Sequence, residues 1–119
     1  MKRFFLFAAF LLFLGLYVNT SAQVESGTFF FNGDTKGYTL NQNEGKRTMD
    51  VEINFNKPFD KKPKVVLSTT LIDKNNDTKL RYSLEATGVS RDGFIIRVSV
   101  WGDTKLDGIG GMWVAHIEE

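Results

Sequence analysis

Apolar and polar side chains alternate with a period of two through almost the whole chain after residue 22, and no stretch of ten or more residues carries a helical apolar stripe. Successive side chains of a strand point to opposite faces, so this pattern predicts strands with one buried and one wet face. Met49, Val51, Ile53 and Phe55 alternate with Asp50, Glu52 and Asn54. Phe94, Ile96, Val98 and Val100 alternate with Ile95, Arg97, Ser99 and Trp101. Further strands are expected over Ser26–Phe31, Gly37–Leu40, Lys64–Ile72 (buried and rich in branched residues) and Leu80–Val89, with a last one around Trp113. Turn signals separate them: Asn32-Gly33, the polar loop Asn41–Arg47, the Asp73–Asp77 turn and Asp92-Gly93. Lys57–Pro63 is a connection that its two prolines help to fix, with Phe59 as a plug onto the core. About six short strands with such turns predict an all-β chain, a six-stranded antiparallel β-sandwich. The segment Gly93–Ala115 reads as a hairpin, two strands joined by a polar, glycine-containing loop.

The first 22 residues break the pattern. Lys2 and Arg3 precede an apolar run from Phe4 to Val18 and the small-residue ending Thr20-Ser21-Ala22, the layout of a secretory signal peptide. The run is shorter than the ~20 residues a membrane span needs, which disfavours a retained anchor. The expectation is export to the extracellular space, a periplasm or a cell surface, with one domain over residues 23–119 and no membrane association after cleavage. Two of the 15 basic residues and none of the 14 acidic ones lie in the leader, so the remainder has 13 basic against 14 acidic. A near-neutral domain lacks the basic surplus of a nucleic-acid binder. It also contains no cysteine, so its stability must come from its core, from oligomerisation, or from both.

One histidine and no cysteine leave no zinc ligand set and no nucleophilic triad. His116 reads as a structural or interface residue. The carboxylates fall in turns or on outward strand positions, away from any apolar cleft that would raise a pKa for acid catalysis, so no enzyme activity and no cofactor are expected. Asp73, Asn75 and Asp77 alternate like the start of a calcium loop, yet lack its glycine, its later glutamate and its flanking helices. A solvated turn is the expectation there, and no metal site is assigned.

The residues do suit a sugar. A pyranose packs its C–H face on an aromatic ring and needs fixed donors and acceptors at its edge. Trp101, at the loop end of its strand and opposite the apolar set, can supply the ring or serve as a packing or interface residue. Arg81 offers a fork of donors, or is a strand charge paired with Glu85 or Asp103. The Asn41–Arg47 loop offers Asn43 and Glu44 as acceptors, and close backbone approach at Gly45. Trp113 reads as core.

Three stretches together resemble the H-type lectin domain, a small galactose or N-acetylgalactosamine binding module of snail agglutinins and discoidins. VEINFNKPFDKKPKVVLSTTLID (51–73) is similar to the family's "I.F..pF..pP.V..s.t.lD". LRYSLEATGVSRDGFIIRVSVW (80–101) is similar to its strand–turn–strand with the arginine, and WGDTKLDGIGGMWVA (101–115) to its closing hairpin. The resemblance implies a six-stranded sandwich assembled as a homotrimer, with glycan sites between subunits. It also implies that Arg81 hydrogen-bonds the sugar, that Trp101 lines the site and that Glu44 with Gly45 holds the axial hydroxyl. Gly102 stands where the snail lectins carry a histidine that reaches the sugar. Hence the competing expectation, a structural or adhesive assembly module with the lectin fold and a degenerate sugar site.

Overall fold

The computed structural model describes residues 23–118, and the expected leader, residues 1–22, lies outside them. Six strands follow in order: β1 (Gln23–Asn32), β2 (Arg47–Asn54), β3 (Lys64–Lys74), β4 (Tyr82–Thr87), β5 (Gly93–Val100) and β6 (Leu106–Ile117). All pairings are antiparallel. They form two three-stranded sheets, β1-β6-β3 (sheet A) and β2-β5-β4 (sheet B). The expected all-β, six-stranded antiparallel sandwich is what forms.

Between the sheets lie the apolar halves of the alternating strands. Phe94, Ile96, Val98 and Val100 of β5 face Ile109, Trp113, Ala115 and Ile117 of β6, and all are buried. Phe55 meets the rings of Phe59, Phe94 and Trp113 at centroid separations of 4.9, 5.8 and 5.8 Å. Phe59 is therefore the plug expected of the proline-flanked loop, and Trp113 is core. Gly27 lies against the indole of Trp113, with space for nothing larger: a Cβ there would stand 2.7 Å from the ring.

Four expectations need correction. The Gly93–Ala115 segment is no hairpin, because β5 belongs to sheet B and β6 to sheet A, so residues 101–105 carry the chain from one sheet to the other. Alternation fixes which face of a strand is buried and says nothing of its hydrogen-bonded neighbour. Residues 37–40 form turns, with no strand; Tyr38 and Leu40 are buried as plugs beneath the connection. The branched run of β3 lies at the edge of sheet A and alternates between exposed and half-buried positions; it is not a buried strand. Finally, β4 starts at Tyr82, leaving Leu80 exposed ahead of it.

This topology gathers the β1–β2, β3–β4 and β5–β6 connections at one end of the sandwich. The ends of β1 and β6 that pair Gln23 with Ile117 are at the other.

Candidate functional site

Arg47 organises the loop end. It opens β2 opposite Val100 and is a buried residue, 8% exposed. It donates to four backbone carbonyls: Gly45 (3.0 Å), Gln42 (2.8 Å), Thr104 (2.7 Å) and Gly102 (3.1 Å). The first two belong to the loop before β2 and the last two to the crossing between the sheets. A bond from the Gly45 amide to the Gly102 carbonyl (2.9 Å) joins the same two loops directly, and Lys105 Nζ donates to the Asn43 carbonyl. Gly45 and Gly102 have φ of 81° and 66°, the left-handed region where glycine carries no Cβ penalty.

Thr104 fixes the third segment. Fully buried, its hydroxyl donates to the Lys79 carbonyl (2.6 Å) and accepts from the Arg81 amide (2.9 Å). The Arg81 guanidinium then folds over Gly102, whose imagined Cβ would lie 3.2 Å from Nη1, and pairs with Asp103 at 2.8 Å. Of the two partners expected for Arg81, Asp103 is the one chosen. A side chain at Gly102 would meet both a left-handed backbone and this guanidinium. Arg81 therefore occupies the space that a residue after Trp101 would otherwise fill.

Trp101 is 42% exposed and stands outward at the end of β5. The structure thus brings Trp101, Gly102, Arg81 and Gly45 to one end of the sandwich, with Glu44 exposed in the adjoining loop. Trp101 also closes one end of a depression of about 350 Å³ on the outer face of sheet B, together with Lys46, Thr48, Ser83, Ser99, Arg97 and Glu85. Arg97 and Asp50 pair across the strands (2.8 Å and 3.0 Å), and that hydrogen bond holds the Asp50 carboxyl below the usual carboxylate range.

The Asp73–Asp77 segment behaves as a turn with its own cation: Lys74 Nζ donates to the Asn75 carbonyl (2.7 Å) and to that of Thr78. Among the described residues no group of three or more His, Cys, Asp or Glu is placed to hold a metal ion.

The H-type lectin domain model matches residues 50–116, more than half of the chain. The chain belongs to the H-type lectin family. That domain is a carbohydrate-binding one and its family is typically non-catalytic. The fold of this H-type lectin is similar to that of discoidin II from Dictyostelium discoideum in two solved structures. Both are 21% identical, with TM-scores of 0.72 and 0.74 over 82% and 84% of this chain. The chain spans 37% and 38% of the length of those discoidin chains. A curated relative, the ATP synthase subunits region ORF 7 of Fuscovulum blasticum, is 26% identical over 84% of this chain and 88% of its own.

Sequence reasoning missed Arg47 and Thr104, the residues that hold the site together. For Arg47 a signal existed: it shares parity with Met49 and Val51, so a charge there falls on the inward face. Thr104 lies outside any alternating run and gave none.

Proposed function

We propose that this domain is a non-catalytic lectin that binds terminal galactose or N-acetylgalactosamine at the end of the sandwich formed by Trp101 and Arg81. Glu44, Gly45 and Gly102 complete that site. The observation that carries the reading is the exposed Trp101 ring beside a preset Arg81 in a member of the H-type lectin family. The ring can take the apolar C–H face of a pyranose. Arg81 uses a donor on Asp103 and has others for sugar hydroxyls. The Arg81 amide is held by the buried Thr104 hydroxyl and its guanidinium by Asp103, so part of its ordering precedes binding.

The protein acts as an exported homotrimer, with the leader directing export and the sites lying between subunits. The assembly is supported by the contrast between the two outer faces. On the outer face of sheet A, Val24, Phe30, Val66, Leu71 and Met112 are exposed, and no outward-facing position between the Lys64/His116 rung and Asp73 is charged. An exposed apolar face with a polar rim is what an oligomer interface presents. Sheet B instead shows Asp50, Glu52, Glu85 and Arg97.

A second reading, an assembly module without sugar binding, is favoured by Gly102, which has no side chain to offer a ligand at the position after Trp101. Trp101→Ala separates the two. A lectin loses galactose and N-acetylgalactosamine binding on a glycan array and keeps its mass, whereas a module built around that tryptophan loses its assembly.

A further inference from the structure

The outer face of sheet B is laid out in rungs. Thr48, Ser99 and Ser83 form one across the three strands, and Asp50, Arg97 and Glu85 form the next. One step toward the loop end, alternation places Lys46, Trp101 and Arg81 on the same face. Three short hydroxyl side chains thus lie between two rungs of long ones, and this difference in length makes the depression beside Trp101. Rungs two residues apart are separated by about 7 Å, so the trough from the Trp101 rung to the Arg97 rung is about 13 Å long, and two strand spacings make it about 10 Å wide. Its volume of about 350 Å³ is at the lower end of the ~300–1,000 Å³ that holds drug-sized ligands, and a single pyranose is smaller than such a ligand.

We propose that the binding site continues along this trough, so that the ligand is an oligosaccharide whose second residue lies on the Thr48 and Ser83 hydroxyls, above the buried Ser99, with Glu85 and Arg97 at its far edge. The inference rests on the lectin reading of the Trp101 end. Ser99, 7% exposed, forms the floor and bonds Thr48 at 3.0 Å, while Thr48 and Ser83 are exposed and keep hydrogen-bonding capacity toward the open side. A row of hydroxyls that can each donate or accept matches a ligand whose own groups are hydroxyls. The far rung adds a carboxylate acceptor and a guanidinium, and Arg97 is held in place by its two bonds to Asp50.

Calorimetric titration of the protein with methyl N-acetylgalactosaminide and with disaccharides ending in N-acetylgalactosamine tests this. At least one disaccharide is expected to bind about tenfold more tightly than the methyl glycoside, equivalent to roughly two added hydrogen bonds. Ser83→Leu fills the trough from the edge strand and is expected to abolish that advantage while leaving the methyl glycoside unaffected; Ser83→Thr retains it. Amide shifts of the unmodified protein give a measure that needs no variant: the disaccharide moves Ser83 and Glu85, and the methyl glycoside does not. Equal affinity for both ligands, or an advantage that survives Ser83→Leu, overturns the extended site while leaving the Trp101 site standing. Failure of the methyl glycoside to bind at all removes the lectin reading beneath it.

Discussion

Replacing Arg47 with methionine keeps an unbranched side chain at a buried position and removes four hydrogen bonds to backbone carbonyls, the one to Thr104 fully buried. Buried groups left unpaired are costly, so Arg47→Met is expected to destabilise the domain by about 3 kcal/mol. Chemical denaturation measures this, and sugar affinity should fall as well, since the Gly45 and Gly102 loops lose their common tie. Tyr38 gives a prediction of another kind. Burial, then Asp107 and Asp73, push its phenol up from 10.0 to about 12, while its hydroxyl donates to the Leu106 carbonyl. Below pH 10 the phenol is protonated in both folded and unfolded chains, and its stabilising contribution is fully present. As pH rises from 10 through about 12 the unfolded chain releases the proton first, and roughly 2 kcal/mol of stability is lost. Unfolding midpoints at several pH values across that window should fall for the wild type relative to Tyr38→Phe; parallel curves for the two contradict it. Trp101 and Arg81 were legible in the sequence because alternation puts them outward. The fold of Arg81 onto Gly102 was not, since it depends on Thr104 and Asp103, which only the crossing loop brings near.

The central strand of sheet A shows why particular glycines are needed at the scale of an element. A Cβ at Gly111 would lie 2.0 Å from the Ser68 carbonyl oxygen and 2.8 Å from the Phe29 ring, beside the register shift of β3 between Thr69 and Leu71. Backbone cannot yield as a side-chain tip does, so Gly111→Ala is expected to cost at least about 3 kcal/mol, or to prevent folding. Gly37→Ala, at an exposed turn with nothing within 4 Å of its Cβ, is the milder control, strained only by its φ of 79°. A thermal melt of each compares them directly. Existence and facing of β2 and β5 were readable from period two, and the β4–β5 hairpin from Asp92-Gly93. Membership of β5 and β6 in different sheets was not, because a five-residue crossing and a hairpin loop share the same glycine and polar composition.

For the molecule as a whole, the two outer faces differ: the middle of sheet A's outer face exposes Val66, Met112 and Phe30 and carries no charge, whereas sheet B's carries Asp50, Glu52, Glu85 and Arg97. Val66→Lys places an ammonium in the middle of the first, on an edge strand where it disturbs no core contact. Light scattering is expected to show the proposed trimer converted to monomer, with the fold kept by circular dichroism. Sugar avidity for a surface should fall more steeply than affinity for free sugar, because three linked sites rebind together. The most direct measurement is binding of residues 23–119 to immobilised galactose and N-acetylgalactosamine, with mass determined by light scattering on the same sample. Saturable binding displaced by free sugar, at trimer mass, is the expected result. A folded trimer that binds neither sugar at millimolar concentration contradicts the lectin reading and leaves the assembly module.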